Sequence, residues 1–215
     1  MGNVKLYGAS SGYVEIVPTA ASGTSTLTLP AATGTLATTA NITTAVDAVV
    51  PAGLVHINTT TFSAESSVSL DNVFSSAYDN YRIFILPLGT VSGSTTTLSA
   101  RLRVGGSDAS GSNYDSQGLQ ISNTSVTGAR TTGATSWDIG KIRTTLVSRT
   151  VELKSPFLAA NTFNDVFGQQ YTTAFYAEQY SQRHTLTTSY DGLTFIVSQG
   201  TMTGTVQVYG YKNGA

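Results

Sequence analysis

The chain has 215 residues, 40% hydrophobic and only 11% charged, and its 11 basic and 12 acidic side chains leave a formal net charge of −1. Neither sign is gathered into a run that would track a phosphate backbone or an anionic membrane, so nucleic acid and membrane are not expected partners. Cysteine is absent, which removes disulfides, thiol catalysis and Cys-based zinc sites.

Residues 1–40 read as an arm. Short alternating pieces, Tyr13-Val-Glu-Ile-Val17 and Thr24-Ser-Thr-Leu-Thr-Leu29, are separated by Gly, Ala, Ser and Thr turns. Two or three such strands do not hold together alone in water. Tyr13, Val14, Ile16, Leu27 and Leu29 are therefore expected to dock on another surface or to intertwine with sister copies. No apolar leader precedes them, and no stretch reaches the ~18 apolar residues of a membrane helix, so a soluble protein is expected. Residues 41–53, within "TTANITTAVDAVVPAGL", read as a linker, with a short helix over Thr43 to Val50 that Pro51 and Gly53 end.

Residues 54–215 read as strand after strand with period-two alternation. In Leu98-Ser-Ala-Arg-Leu-Arg-Val104, Leu98, Ala100, Leu102 and Val104 should face inward and the residues between them outward. Tyr81-Arg-Ile-Phe-Ile-Leu86 is apolar on both faces along much of its length, as in a central strand covered on two sides. Further strands are expected at 54–62, 66–70, 117–122, 137–142, 146–153, 170–178, 183–189, 193–198 and 204–211. Turn signals at roughly 8 to 12 residue spacing predict an all-β fold, an antiparallel two-sheet sandwich that is jelly-roll-like and preceded by an extended N-terminal β-arm. Asp71 to Tyr78 is expected to form a helical turn capped by Asp71. Residues 105–116 and 123–136 read as long loops at one end of the sandwich, where binding commonly sits.

Gly8-Ala-Ser10-Ser-Gly12 fits G-x-S-x-G, and Asp165 and His184 follow it in the chain order of a hydrolase triad. A nucleophile elbow needs a strand before the first glycine and a helix after the serine. Here seven residues precede Gly8 and an alternating β segment follows Gly12, so the motif reads as a turn. His56 and His184 are the two histidines; both read as strand residues, and their separation argues against a transition-metal site. Asp108, Ser110, Ser112, Asn113 and Asp115 lack the order and the closing Glu of a calcium loop and read as a solvated turn. No catalytic residue, metal or cofactor is expected.

Aromatic residues carry the remaining signal. Phe163, Phe167, Tyr171, Phe175, Tyr176 and Tyr180 are expected to fill a core or a subunit interface. Tyr114 and Trp137 flank the long polar loops and are the residues expected to stack on sugar rings if the protein recognises a glycan.

The arm "GASSGYVEIVPTAASGTSTLTLPAATGTLATTA" resembles a segment of structural proteins of tailed bacteriophages, marine ones especially, where a G-x-S-G-x-[VT] start leads into "TLTLPAATGTLAT". "SSAYDNYRIFI", "LRVGGSDASGSNYD" and the terminal "GTVQVYGYKN" are similar to phage virion modules. The resemblance implies a non-enzymatic virion protein, a head fibre, capsid decoration or tail fibre, that forms a homotrimer and contacts other virion proteins of capsid or tail. The alternatives are a tail-fibre tip that recognises a host surface glycan and, of lower weight, a polysaccharide depolymerase or esterase.

Overall fold

The computed structural model describes residues 4–7, 9–17, 53–90, 96–143, 147–171 and 175–212, which contain fifteen strands and no helix. The chain divides between Val50 and Pro51 into two compact units. In the first, β1 (Val4–Tyr7) and β2 (Tyr13–Ile16) form an antiparallel hairpin that pairs Val4 with Ile16, Leu6 with Val14 and Tyr7 with Tyr13. The Tyr7 and Tyr13 rings lie 5.8 Å apart, and the Lys5 ammonium sits 4.4 Å above the Tyr13 ring. Ser10 falls in the connection between these two antiparallel strands. Leu27, Leu29 and the helix expected at 43–50 lie outside the described residues.

The second unit runs through β3 (Gly53–Glu65), β4 (Ser67–Leu70), β5 (Asn80–Thr90), β6 (Thr96–Val104), β7 (Ser107–Asp108), β8 (Tyr114–Ser122) and β9 (Ser125–Ala134). It continues through β10 (Trp137–Ile142), β11 (Val147–Lys154), β12 (Thr162–Tyr171), β13 (Phe175–His184), β14 (Gly192–Val197) and β15 (Met202–Lys212). Two antiparallel sheets form, in the orders β3-β15-β5-β11-β12-β13-β8-β9 and β10-β6-β14-β4, with β7 paired to β6. Setting aside β7 and the hairpins β8-β9 and β12-β13 leaves eight strands, in sheet orders first-eighth-third-sixth and second-seventh-fourth-fifth. Each strand is thus beside its counterpart from the other end of the chain, which is the jelly roll. The two hairpins extend the larger sheet beyond β11 as a four-stranded wing. Strand β10 of the smaller sheet packs against the inner face of that wing.

Period-two alternation decides what is inside. Leu98, Ala100 and Leu102 of β6 and Tyr81, Ile83 and Ile85 of β5 are buried in one core with Val151, Leu153, Phe195, Val206 and Val208. Val104, expected inside, is exposed, because the Gly105-Gly106 turn that follows carries the end of β6 out of the sandwich. Strand β5 is covered on one face, not two: Leu86 is exposed and Phe84 half-buried on the outer face. Residues 71–79 are an irregular turn without the expected helical geometry. Tyr81 Oη holds it by accepting from Ser75 N at 2.7 Å and donating to Ser75 O at 2.9 Å, while Asp71 pairs with Arg103 instead of capping a helix.

Other segments also depart from the sequence reading, among them the expected loop 105–116, which holds β7 and the start of β8. Residues 125–134, expected in a loop, are β9, because its Thr- and Gly-rich backbone pairs with β8 from Ser122↔Ser125 to Tyr114↔Ala134. The strand expected at 170–178 spans the end of β12 and the start of β13, with 172–174 outside the described residues. The strand expected at 183–189 stops at His184, after which loop contacts take the backbone donors, Thr185 N to Asn113 O and Tyr190 N to Pro156 O.

Candidate binding face

Tyr114 and Trp137, expected to contact a glycan, are each 1% exposed. Both sit on the inward phase of their strands, with ring centroids 5.2 Å apart, edge to face. The Tyr114 hydroxyl accepts from Leu102 N and donates to Ala109 O, and Trp137 Nε1 donates to Arg183 O. Their polar tips are engaged by backbone and their faces by core, so neither presents a surface to a sugar.

His184 lies against the same rings, 4.5 Å from Tyr114 and 5.2 Å from Tyr190, with Nδ1 3.2 Å from the Tyr190 hydroxyl. It is the last residue of β13, fully buried and hydrogen-bonded. Burial lowers its pKa, against a smaller opposing hydrogen bond with the Leu186 backbone. Below the ordinary histidine value of about 6.5 the unfolded chain therefore binds a proton that the folded one resists, and stability falls with falling pH. Urea unfolding at pH 7.5 and 5 should show that fall in the wild type and a smaller one in His184→Gln; equal slopes would remove His184 as the cause.

The inner face of the wing also holds a buried ion pair, Arg149 Nη2 to Glu178 Oε2 at 2.5 Å, with both side chains almost fully enclosed. Arg149 also donates to Ile139 O, Lys141 O and Gln169 O at 2.8 to 3.0 Å. Two of these acceptors lie on β10, the edge strand of the smaller sheet, so one guanidinium caps an open edge and ties it to the larger sheet. Gly168 and Gly140 make the room: a Cβ at Gly168 would fall 2.2 Å from Arg149 Nη1, and one at Gly140 would fall 2.7 Å from its Nε.

The outer face is different in kind. Its strands present every second residue to solvent, and across β11, β12, β13, β8 and β9 these include Lys154, Phe163, Asp165, Arg183, Asp115 and Arg130 around a depression of about 440 Å³. Phe163 stands opposite Lys154 on β11 and Arg183 on β13, and is 47% exposed. Lys154 Nζ reaches Asp165 Oδ2 at 2.5 Å, and Ser181 Oγ donates to Asp165 Oδ1 at 2.7 Å. Arg183 Nε donates to Asp115 Oδ2 at 2.8 Å, and Gly133 N to Asp115 Oδ1 at 3.0 Å. The Gly133 amide and Arg183 hold the Asp115 carboxyl below the usual range. Partial burial raises Asp165, but the Lys154 and Ser181 hydrogen bonds outweigh it and the net shift is downward. Arg130 has no ion pair or hydrogen bond to another described residue.

No family model, curated protein or solved structure matches the chain. The face must therefore be judged on its chemistry. Beside the depression, Leu119, Ile121, Val126, Phe167 and Phe175 are exposed at 45 to 64% on the same outer face. The aromatic cluster expected to fill a core or a subunit interface is divided: Phe163, Phe167 and Phe175 face outward, while Tyr180 turns inward over Gly118. Among the described residues no group of three or more His, Asp and Glu is placed to hold a metal ion. Asp108 and Asp115 of the oxygen-rich segment are instead paired with Arg103 and Arg183.

Sequence reasoning missed Arg130, Lys154 and Arg183 as neighbours of Phe163, because they come from four strands. One signal was available. "VELK" places Glu152 and Lys154 together on the outward phase, a pattern that marks a polar sheet face.

Proposed function

We propose that the chain is a non-enzymatic structural protein of a tailed-bacteriophage virion, a head fibre, capsid decoration or tail fibre, in which the N-terminal arm anchors and the jelly roll is displayed. The observation that carries this reading is the hairpin β1-β2. Its Val4, Leu6, Tyr7 and Tyr13 are exposed at 53 to 77%, and four-residue strands with so little covered surface are not stable in water without a partner. An apolar arm followed by a self-sufficient sandwich suits a subunit that is ordered by assembly, as a homotrimer seated on other virion proteins.

The test removes residues 1–40 and asks two questions of the remainder. The truncated chain should keep the cooperative thermal unfolding of the sandwich, lose the trimeric mass of the full chain, and fail to join particles that lack the protein. A truncated chain that still attaches would overturn the anchoring role of the arm.

A further inference from the structure

We infer that the outer-face depression around Phe163 is a binding site for an acidic saccharide of the hexuronate class. The inference is independent of where the arm attaches. Phe163 is an aromatic platform on a rigid sheet, the arrangement on which the C–H face of a pyranose ring packs, and it is flanked by groups that match hydroxyls.

Each flanking ion pair is only partly spent. Arg183 has five N–H donors and uses one on Asp115, and Lys154 has three and uses one on Asp165. The two carboxylates retain further acceptor lone pairs and remain ionised through mildly acid pH, since both are shifted down. The result is a ring platform bordered by fixed donors and acceptors in alternation, which suits neighbouring sugar hydroxyls better than an apolar ligand.

The charge count supplies the acidic preference. Three cations, Arg130, Lys154 and Arg183, face two carboxylates, Asp115 and Asp165, so the site carries one excess positive charge. That excess is most available at Arg130, which acts on Asp115 only through its longer-range field, makes no hydrogen bond or close ion pair among the described residues, and carries a guanidinium shaped for one planar carboxylate. A phosphate cluster would call for several free cations at one point, and here there is one. Arg130 on β9 is three strand spacings from Phe163 on β12 and two residues further along the strands, about 16 Å between backbones. One sugar ring stacked on Phe163 therefore leaves the carboxylate of a following ring within reach of Arg130, and the smallest good ligand is a disaccharide or longer.

The experiment titrates the full chain, by NMR or calorimetry, with a galacturonate trisaccharide and with a neutral galactose trisaccharide. The wild type should bind the acidic trisaccharide with a Kd of about 1 mM and the neutral one about tenfold more weakly. Phe163→Ala should weaken both by about tenfold, and Arg130→Gln should remove the acidic preference while leaving neutral binding unchanged. Both substituted side chains are exposed, so thermal melting should stay close to wild type and loss of fold is separable from loss of binding. Absence of wild-type binding to either sugar would overturn the site. Unchanged binding by Phe163→Ala would overturn the platform, and equal wild-type affinities for the two sugars would overturn the acidic assignment.

Discussion

Glu178→Ala is expected to lower the stability of the jelly-roll unit by about 3–5 kcal/mol in denaturant unfolding. The cause is what remains. Arg149 is 1% exposed and keeps its carbonyl partners, but the carboxylate in direct contact with it is gone and only the more distant Asp138 is left to balance its charge. Burial lowers the pKa of Arg149, against the opposing field of Glu178. Adding Arg149→Met to Glu178→Ala should recover part of the loss, since the unbalanced charge goes but Ile139, Lys141 and Gln169 lose a donor. By contrast, Lys154→Ala breaks an exposed pair and should cost no more than about 1 kcal/mol. A Glu178→Ala protein within that same margin of wild type would refute the account.

Trp137→Ala should be destabilising to a similar degree, about 3–5 kcal/mol, with Tm lowered by roughly 10 °C for a unit of this size. The indole is the largest buried side chain on β10, and it fills the space between the smaller sheet and the wing, against Tyr114 and His184. Removing it leaves a cavity and also strips the Arg183 carbonyl of its donor. Trp137→Phe separates the two contributions, because it keeps an aromatic ring and loses the hydrogen bond, and it should cost about 1–2 kcal/mol. Should Trp137→Ala melt like wild type, the indole would have to lie at the surface after all.

The jelly roll was legible because its strands obey alternation. Leu98, Ala100 and Leu102 announce a buried face, and the runs at 147–153, 193–197 and 204–210 do the same. Strand β9 was not legible, since all its residues but the last are exposed and it is a strand only through backbone pairing with β8. Composition without an apolar phase cannot distinguish such an edge strand from a loop. Arg149 was readable in principle. In Val147-Ser-Arg-Thr-Val-Glu-Leu153 it occupies the inward phase between Val147 and Val151, and Glu178, Gln182 and His184 keep the same phase on β13. A charge in an apolar phase asks for a buried partner, but which strand supplies it depends on topology. Tyr114 and Trp137 failed for a related reason, since flanking a polar loop in sequence does not decide which way a strand-end side chain turns. For Phe163 the sequence left core and subunit interface open, and its exposure follows from the parity of β12, which the cluster of nearby aromatics obscured.

The nested strand order also bears on how the protein comes into being. Thr61 on β3 bonds to Thr205 on β15 across 144 positions of sequence, and β15, the last described strand, lies between β3 and β5, one strand in from an edge of the larger sheet. Contacts of such separation are entropically expensive to close and make for slow folding. A nascent chain makes β3 and β5 well before the strand that joins them, so the larger sheet is complete only once β15 has been made. Until then the two edges that will flank β15 stay open together, and the rate of that insertion limits how fast the native sheet forms.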